Sequence, residues 1–324
     1  MTAITIYTSL NESVRKIDHA DEYSYMIRMS DGIEGRIAGL LTLNKLSKLS
    51  HGVWNADSMA NGLMFVQEHA KEHTIFYPLW SKSDCQKDSG KKNTGILSFL
   101  HNDKRKFALI CAGGGYGAVA SVQEAFPVAS KMYAKGYSVF VLQYRTGKHA
   151  IAPNPMDDLA HALKFIFNNA EQMNVDITNY ALIGFSAGGH LVASFGTETI
   201  GYAKYELPRP GILMLAYPVI TMGEYTDQGT LRELLGKNSE NDEKIEMYSI
   251  EKHITPTYPK TFIWQCDRDQ TVPFKNSELL VSELRRNHID HQYETFPSDA
   301  HGWGLGEGTY AQGWLDRAID FWKK

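Results

Sequence analysis

The sequence predicts a three-layer α/β sandwich built round a mostly parallel sheet. Three observations carry that prediction. From Thr74 onward short apolar runs alternate with helix-period stretches, several of those runs hold few polar residues, and no internal repeat competes with the pattern. Runs poor in polar residues are what strands covered on both faces look like. The expected strands are "GILSFL" (95–100), "FALICA" (107–112), "YSVFVLQY" (137–144), "YALIGF" (180–185), "GILMLAY" (211–217), "TFIWQC" (261–266) and "HQYETF" (291–296). The first two, joined by the polar stretch "HNDKRK", read as an antiparallel hairpin at the beginning of the sheet. Helices are predicted near 121–135, 157–169, 188–197 and 276–287, with a last one near 310–323.

Residues 1–70 read differently. Ile37, Leu40, Leu41 and Leu43 to Leu46 recur at helical spacing, as do Met59, Leu63 and Val66, and no strand pattern appears among them. The prediction is a helical extension over 1–70 preceding a domain at 71–324. Three roles are open to the extension: a cap over the site, a contact to a second subunit in a homodimer, or a cover for the sheet's edge.

Composition narrows the function classes. The chain has 324 residues, 43% hydrophobic and 22% charged, an ordinary globular balance. Its formal charge of −4, from 37 acidic and 33 basic side chains, favours neither nucleic acid nor an anionic membrane as partner. Three cysteines without paired spacing (Cys85, Cys111, Cys266) argue against a disulfide framework and a zinc ribbon, and fit a reducing compartment. With no basic-then-apolar leader pattern at the start and no stretch of membrane-spanning length, a cytoplasmic location is expected.

The most informative stretch is "ALIGFSAGGH" (181–190), an apolar strand that ends in Gly184-Phe185-Ser186-Ala187-Gly188. A sharp strand-to-helix turn strains its central residue and leaves no room for side chains two positions to either side. Such a turn also sets Ser186 at a helix N-terminus, where the N–H of Ala187 points at whatever the serine attacks. Taken alone, the five residues fit a glycine-rich helix start equally well. Their place after an apolar strand and before "HLVASFG" favours a nucleophile.

"CAGGGYGA" (111–118) offers a rival. Gly113, Gly115 and Ala118 fit a dinucleotide fingerprint, but that needs an acidic residue closing the next strand, and "LQYR" supplies Gln143 and Arg145 instead. The alternative suits the serine. A glycine run after a strand lets main-chain N–H groups approach a substrate oxygen, which makes Gly114 and Gly115, with Ala187, the candidate oxyanion hole.

An activated serine needs a base and an orienting carboxylate, in the chain order serine, acid, histidine. "IWQCDRDQTVP" (263–273) offers two acids just past a strand; Asp269 is preferred and Asp267 stays as the alternative. His301, in the glycine-flanked loop "TFPSDAHGWGLG" (295–306), is the histidine that follows both the acid and a strand end. His288 and His291 precede that strand with no carboxylate completing a site, so no metal is expected there. His190 precedes the acid and reads as a packing or hydrogen-bonding residue. Asp157 and Asp158, after "APNPM", read as helix-start residues.

Together "CAGGGY", "VFVLQYR", "GFSAGGH", "YPVI", "LLG", "TFIWQCDRDQTVPFKNS" and "FPSDAHGWGLG" resemble, in order, the α/β-hydrolase superfamily. Within it they are similar to the small esterase and acetyl-xylan-esterase-like (BD-FAE-like) group, over about residues 74–324. The resemblance implies an eight-stranded sheet, a Ser186–Asp269–His301 triad, and hydrolysis of short-chain or sugar acyl esters through an acyl-enzyme, with no cofactor. One departure is Ala112, where lipase-like members carry the histidine of a His-Gly-Gly-Gly loop; this is closer to the sugar-esterase variant. Residues 218–258 intervene between strands as a candidate partial lid. An arylformamidase or a peptidase on the same triad, and a binding protein that keeps the fold without turnover, are the competing readings.

Overall fold

Runs of Leu, Ile, Val and Phe that tolerate water on neither face form the middle of the molecule. In the computed structural model, which describes residues 3–28 and 33–324, they supply the inner strands of an eight-stranded sheet. Its strands are β1 (Phe76–Pro78), β2 (Gly95–Phe99), β3 (Arg105–Cys111), β4 (Ser138–Gln143), β5 (Val175–Phe185), β6 (Ile212–Ala216), β7 (Lys260–Cys266) and β8 (His291–Phe296). One sheet orders them β1-β2-β4-β3-β5-β6-β7-β8. Strands from β4 across to β8 run parallel, while β2 is antiparallel to both β1 and β4. Every residue of β2, β4 and β6 is buried, so helices must cover both faces.

The pairing expected between 95–100 and 107–112 does not form. Both strands exist, but β4 lies between them, with Leu97 opposite Val141 and Ile110 beside Val141. The fully buried β4 needs a neighbour on each side, and "HNDKRK" lacks the two-residue Asn-Gly or Asp-Gly chemistry that would force a tight hairpin. The antiparallel pair that begins the sheet is β1 with β2, Phe76 opposite Leu97. A strand as short as β1, closed by a proline, leaves little alternation to read.

Thirteen α-helices lie among the described residues. Those ahead of the sheet are α1 (Leu10–Lys16), α2 (Ser24–Arg28), α3 (Ile33–Gly39), α4 (Leu43–Leu49) and α5 (Ala56–Glu72). Within the sheet region follow α6 (Lys82–Lys87), α7 (Phe126–Ala134), α8 (Asn154–Asn168), α9 (Ser186–Phe195), α10 (Gln228–Leu235), α11 (Asp242–Met247), α12 (Lys275–Arg286) and α13 (Trp314–Lys323). Ser9 and Glu12 close a reciprocal capping box at the start of α1. Leu43, Leu46, Met59, Leu63 and Val66 are buried as their spacing suggests, whereas Ile37 and Leu40 are exposed. Phe65 on α5 meets Phe99 on β2 at 4.5 Å and Tyr133 on α7 at 5.5 Å between ring centroids, so the N-terminal helices share the sheet's core.

Two buried polar groups hold the elements around the sheet's C-terminal edge. Arg145, just past β4, bonds Asp158 of α8 through Nε at 2.9 Å and through its own N–H at 2.8 Å, and Trp80 Nε1 donates to the same carboxylate at 2.9 Å. The acid read as a helix-start residue is therefore the buried half of an ion pair, with side-chain exposures of 3% and 0%. A dipole argument from sequence could not see its partner, which stands 13 residues upstream on the strand exit. On α9, His190 Nε2 lies 2.8 Å from the Tyr248 carbonyl and Nδ1 2.9 Å from the Tyr116 hydroxyl. A carbonyl can only accept, so Nε2 carries the hydrogen and Nδ1 accepts from Tyr116.

Removing Arg145 leaves a buried carboxylate without its counter-charge. Arg145→Met should lower stability by about 3–5 kcal/mol, read as a shift of the urea midpoint at unchanged slope. His190 makes stability depend on pH. Burial lowers its imidazole to about 4. The unfolded chain therefore takes up the proton first, and stability is lost as pH falls from 6.5 toward 4, by about 3 kcal/mol in all. His190→Gln should flatten that part of the stability–pH curve; comparing the two proteins cancels the other titrating groups.

Candidate active site

The order of the strands decides where the site sits. After β3 the chain turns to one side to build β4 and later returns to the other side for β5, so the crevice beyond the strand ends opens between the exits of β3 and β5. Cys111 stands beside Gly184, which brings "AGGGYG" against "FSAGG". The approach is tight. A Cβ on Gly188 would drive into the carbonyl oxygens of Cys111 and Ala112, so only glycine lets the two turns meet.

Ser186 occupies the point of the turn at φ +50°, in the left-handed region that a non-glycine residue adopts only under constraint. It is the first residue of α9, and its side chain is aimed away from the sheet toward the loop after β8. There His301 Nε2 lies 2.9 Å from Ser186 Oγ, and His301 Nδ1 lies 2.7 Å from Asp269 Oδ2. The carboxylate fixes the tautomer: Nδ1 donates to Asp269 and Nε2 is left to accept from the serine hydroxyl. Asp269 itself is held by four contacts. Its Oδ1 accepts the N–H groups of Thr271 at 2.9 Å and Val272 at 3.0 Å, and its Oδ2 accepts from Gln265 Nε2 at 3.2 Å as well as from the imidazole. Its side chain is fully buried, against 13% exposure for His301.

Asp267 stands apart. It pairs with Arg268 at 3.2 Å and accepts from the Ser298 N–H at 3.2 Å, bracing the loop rather than touching the imidazole. The register Cys266 opposite Phe296 brings both acids to the histidine loop, and of the two Asp269 reaches the ring.

Gly114 (φ +122°) and Gly115 (φ +60°) turn the loop after β3. Among the described residues, the N–H groups of Gly114, Gly115 and Ala187 have no acceptor, while that of Gly113 is bound at 2.6 Å by Glu124 Oε2. Glu124 comes from a π-helical turn, Ser121–Ala125, that precedes α7. It also accepts from Tyr217 Oη at 3.0 Å, and Tyr217 Oη accepts from the Gly304 N–H at 2.9 Å. Sequence reading passed over Glu124, whose single signal was an acid inside the apolar stretch "VQEAFPVA". Tyr217 belongs to the core, as does Tyr116, whereas Tyr225 is exposed and Trp303 half-buried.

Distant segments close the surroundings. Val53 and Trp54, ahead of α5, lie against Gly302, next to His301, and Ser58 donates to Glu307 at 2.5 Å. Residues 228–252 of the intervening segment add α10, α11 and two 3₁₀ turns, and supply the Tyr248 carbonyl that holds His190. His288 and His291 flank the start of β8 at the opposite end of the strands, with His291 Nδ1 2.8 Å from the Ile289 carbonyl. Among the described residues no group of three or more His, Cys, Asp or Glu is arranged to hold a metal ion, and no helix is long and apolar enough to cross a membrane.

Comparison with known proteins agrees with this architecture. The BD-FAE family model matches residues 100–203. The chain is 35% identical over 231 residues to endo-1,4-beta-xylanase B of Butyrivibrio fibrisolvens, covering 68% of this chain and 36% of that protein. It is 30% identical over 227 residues to the acetylxylan esterase of Xylanibacter ruminicola, covering 68% of this chain and 45% of that one. It thus spans less than half the length of either curated relative. Among solved structures, an acetyl ester-xyloside bifunctional hydrolase from Caldicellulosiruptor lactoaceticus superposes with a TM-score of 0.69 at 26% identity, over 76% of this chain and 95% of the other. The parallel sheet with its antiparallel start, the turn around Ser186 and these likenesses together make the chain a member of the α/β-hydrolase superfamily, in its BD-FAE-like group.

Proposed function

We propose that the protein is a serine esterase that hydrolyses short-chain carboxylic esters, with acetylated sugars as its substrate class. The observation that carries this reading is the continuous hydrogen-bonded line from Ser186 Oγ through His301 to Asp269, at 2.9 and 2.7 Å. The names of the relatives, an acetylxylan esterase and an acetyl ester-xyloside hydrolase, support the choice of acyl group and alcohol.

The reaction runs in two halves. His301 Nε2 takes the hydroxyl proton as Ser186 Oγ bonds to the ester carbonyl carbon. Negative charge moves to the carbonyl oxygen, where the free N–H groups of Gly114, Gly115 and Ala187 receive it; donors set in advance at the place where charge develops are usually the largest single contribution to catalysis. Asp269 stabilises the imidazolium that forms and keeps its orientation. The tetrahedral species then expels the alcohol, which takes the proton from Nε2, and the acyl group stays on Ser186. Water, deprotonated by the same nitrogen, attacks the acyl carbon and releases the carboxylic acid. The serine recovers its hydrogen.

Ser186→Ala should lower turnover of p-nitrophenyl acetate by roughly five orders of magnitude or more and abolish labelling by a fluorophosphonate. A variant as active as the wild type would end the proposal. The two acids give a second test. Asp269→Asn should cost about four orders of magnitude in kcat by upsetting the tautomer, whereas Asp267→Asn leaves the rate near that of the wild type.

A further inference from the structure

Glu124 is a buried carboxylate for which the reaction above has no use. It is 4% exposed, and burial pushes its carboxyl up to about 7 despite the donors around it. Burying such a group costs several kcal/mol before its hydrogen bonds are counted, so stability alone gives no reason to keep it. Its contacts give one. Oε2 accepts the Gly113 N–H at 2.6 Å, and Gly113 is the residue immediately before the two proposed oxyanion donors of the loop. Oε1 accepts from Tyr217 Oη at 3.0 Å, and that oxygen accepts in turn from the Gly304 N–H at 2.9 Å, three residues past His301. The Tyr217 ring also meets the His301 ring edge to face at 4.8 Å between centroids. Tyr217 is fixed at φ +40°, with its N–H bonded to the Trp264 carbonyl at 2.7 Å.

We infer that Glu124 is a positioning residue that, through Tyr217, ties the oxyanion loop to the histidine loop and so sets the distance between the oxyanion donors and His301. The inference rests on the serine-esterase reading. A carboxylate suits the task because it can accept from both loops at once, whereas an apolar side chain would leave the Gly113 N–H and the Tyr217 hydroxyl without acceptors in the interior. The π-helical turn that carries it widens the helix start just where the side chain must reach inward. Because the loops are set before substrate arrives, the contribution belongs to the transition state rather than to binding, and it should appear in kcat.

The test uses the full-length protein and p-nitrophenyl acetate, with competent sites counted by fluorophosphonate titration. Glu124→Ala should lower kcat per titrated site by about 100-fold, with KM changed less than about threefold. Glu124→Gln, whose carbonyl oxygen still accepts from Gly113, should recover part of that loss. Tyr217→Phe should lower kcat by roughly tenfold, and adding it to Glu124→Ala should cost little more, because the two act in one chain of contacts. An unchanged kcat per site in Glu124→Ala overturns the inference, as does a loss confined to KM or to the fraction of folded protein. Should Glu124→Ala fail to fold, Tyr217→Phe decides, and a wild-type kcat there overturns it. A wild-type protein that neither hydrolyses the ester nor reacts with the fluorophosphonate would overturn the proposed function and this inference together; an active wild type with an unaffected Glu124→Ala overturns this one alone.

Discussion

Everything at this site depends on two neighbouring parallel strands ending level with each other. With Cys111 beside Gly184, the chain leaving β3 and the chain leaving β5 must share a few ångströms of space, and they do so because the second turn carries a hydrogen where any other residue carries a carbon. That closeness brings the glycine loop, with its N–H groups of Gly114 and Gly115, up against the turn that carries Ser186. A parallel sheet leaves all its strand exits on one side, so the acid after β7 and the histidine after β8 arrive at the same edge without any long detour.

The reach of the sequence follows the range of the forces involved. Most of the strands were legible because they are runs of apolar residues, and the turn at Ser186 because its glycines answer a local steric demand. Asp269 could be preferred over Asp267 but not separated from it, since one backbone register places both near the ring and only folded geometry distinguishes them. The neighbours of β2 were misread because pairing is a contest among strands for burial, which no single segment decides. Asp158 was misread as a helix-start residue, and Glu124 passed over, for a related reason. A buried acid is identified by its partners, and those lie on other elements: Arg145 for the first, Gly113 and Tyr217 for the second.

Several buried polar groups of this protein hold loops in an exact relation to one another and to the sheet. Arg145 with Asp158 fixes the exit of β4, His190 joins α9 to the glycine loop and to the chain near Tyr248, and Gln265 braces Asp269 from within β7 while accepting from Ser277 at 2.6 Å. Each is satisfied on several sides, which turns an unfavourable burial into directional restraint. The apolar core supplies cohesion; these contacts supply registration.

The contact between Val53, Trp54 and Gly302, reinforced by Ser58 and Glu307 at a separation of 249 positions, has a bearing on how the molecule assembles. Closing so long a span of chain is entropically late work in folding. A ribosome releases the helices ahead of the sheet well before the ground they rest on beside the imidazole. Order beside the imidazole therefore waits until two segments 249 positions apart come to lie side by side.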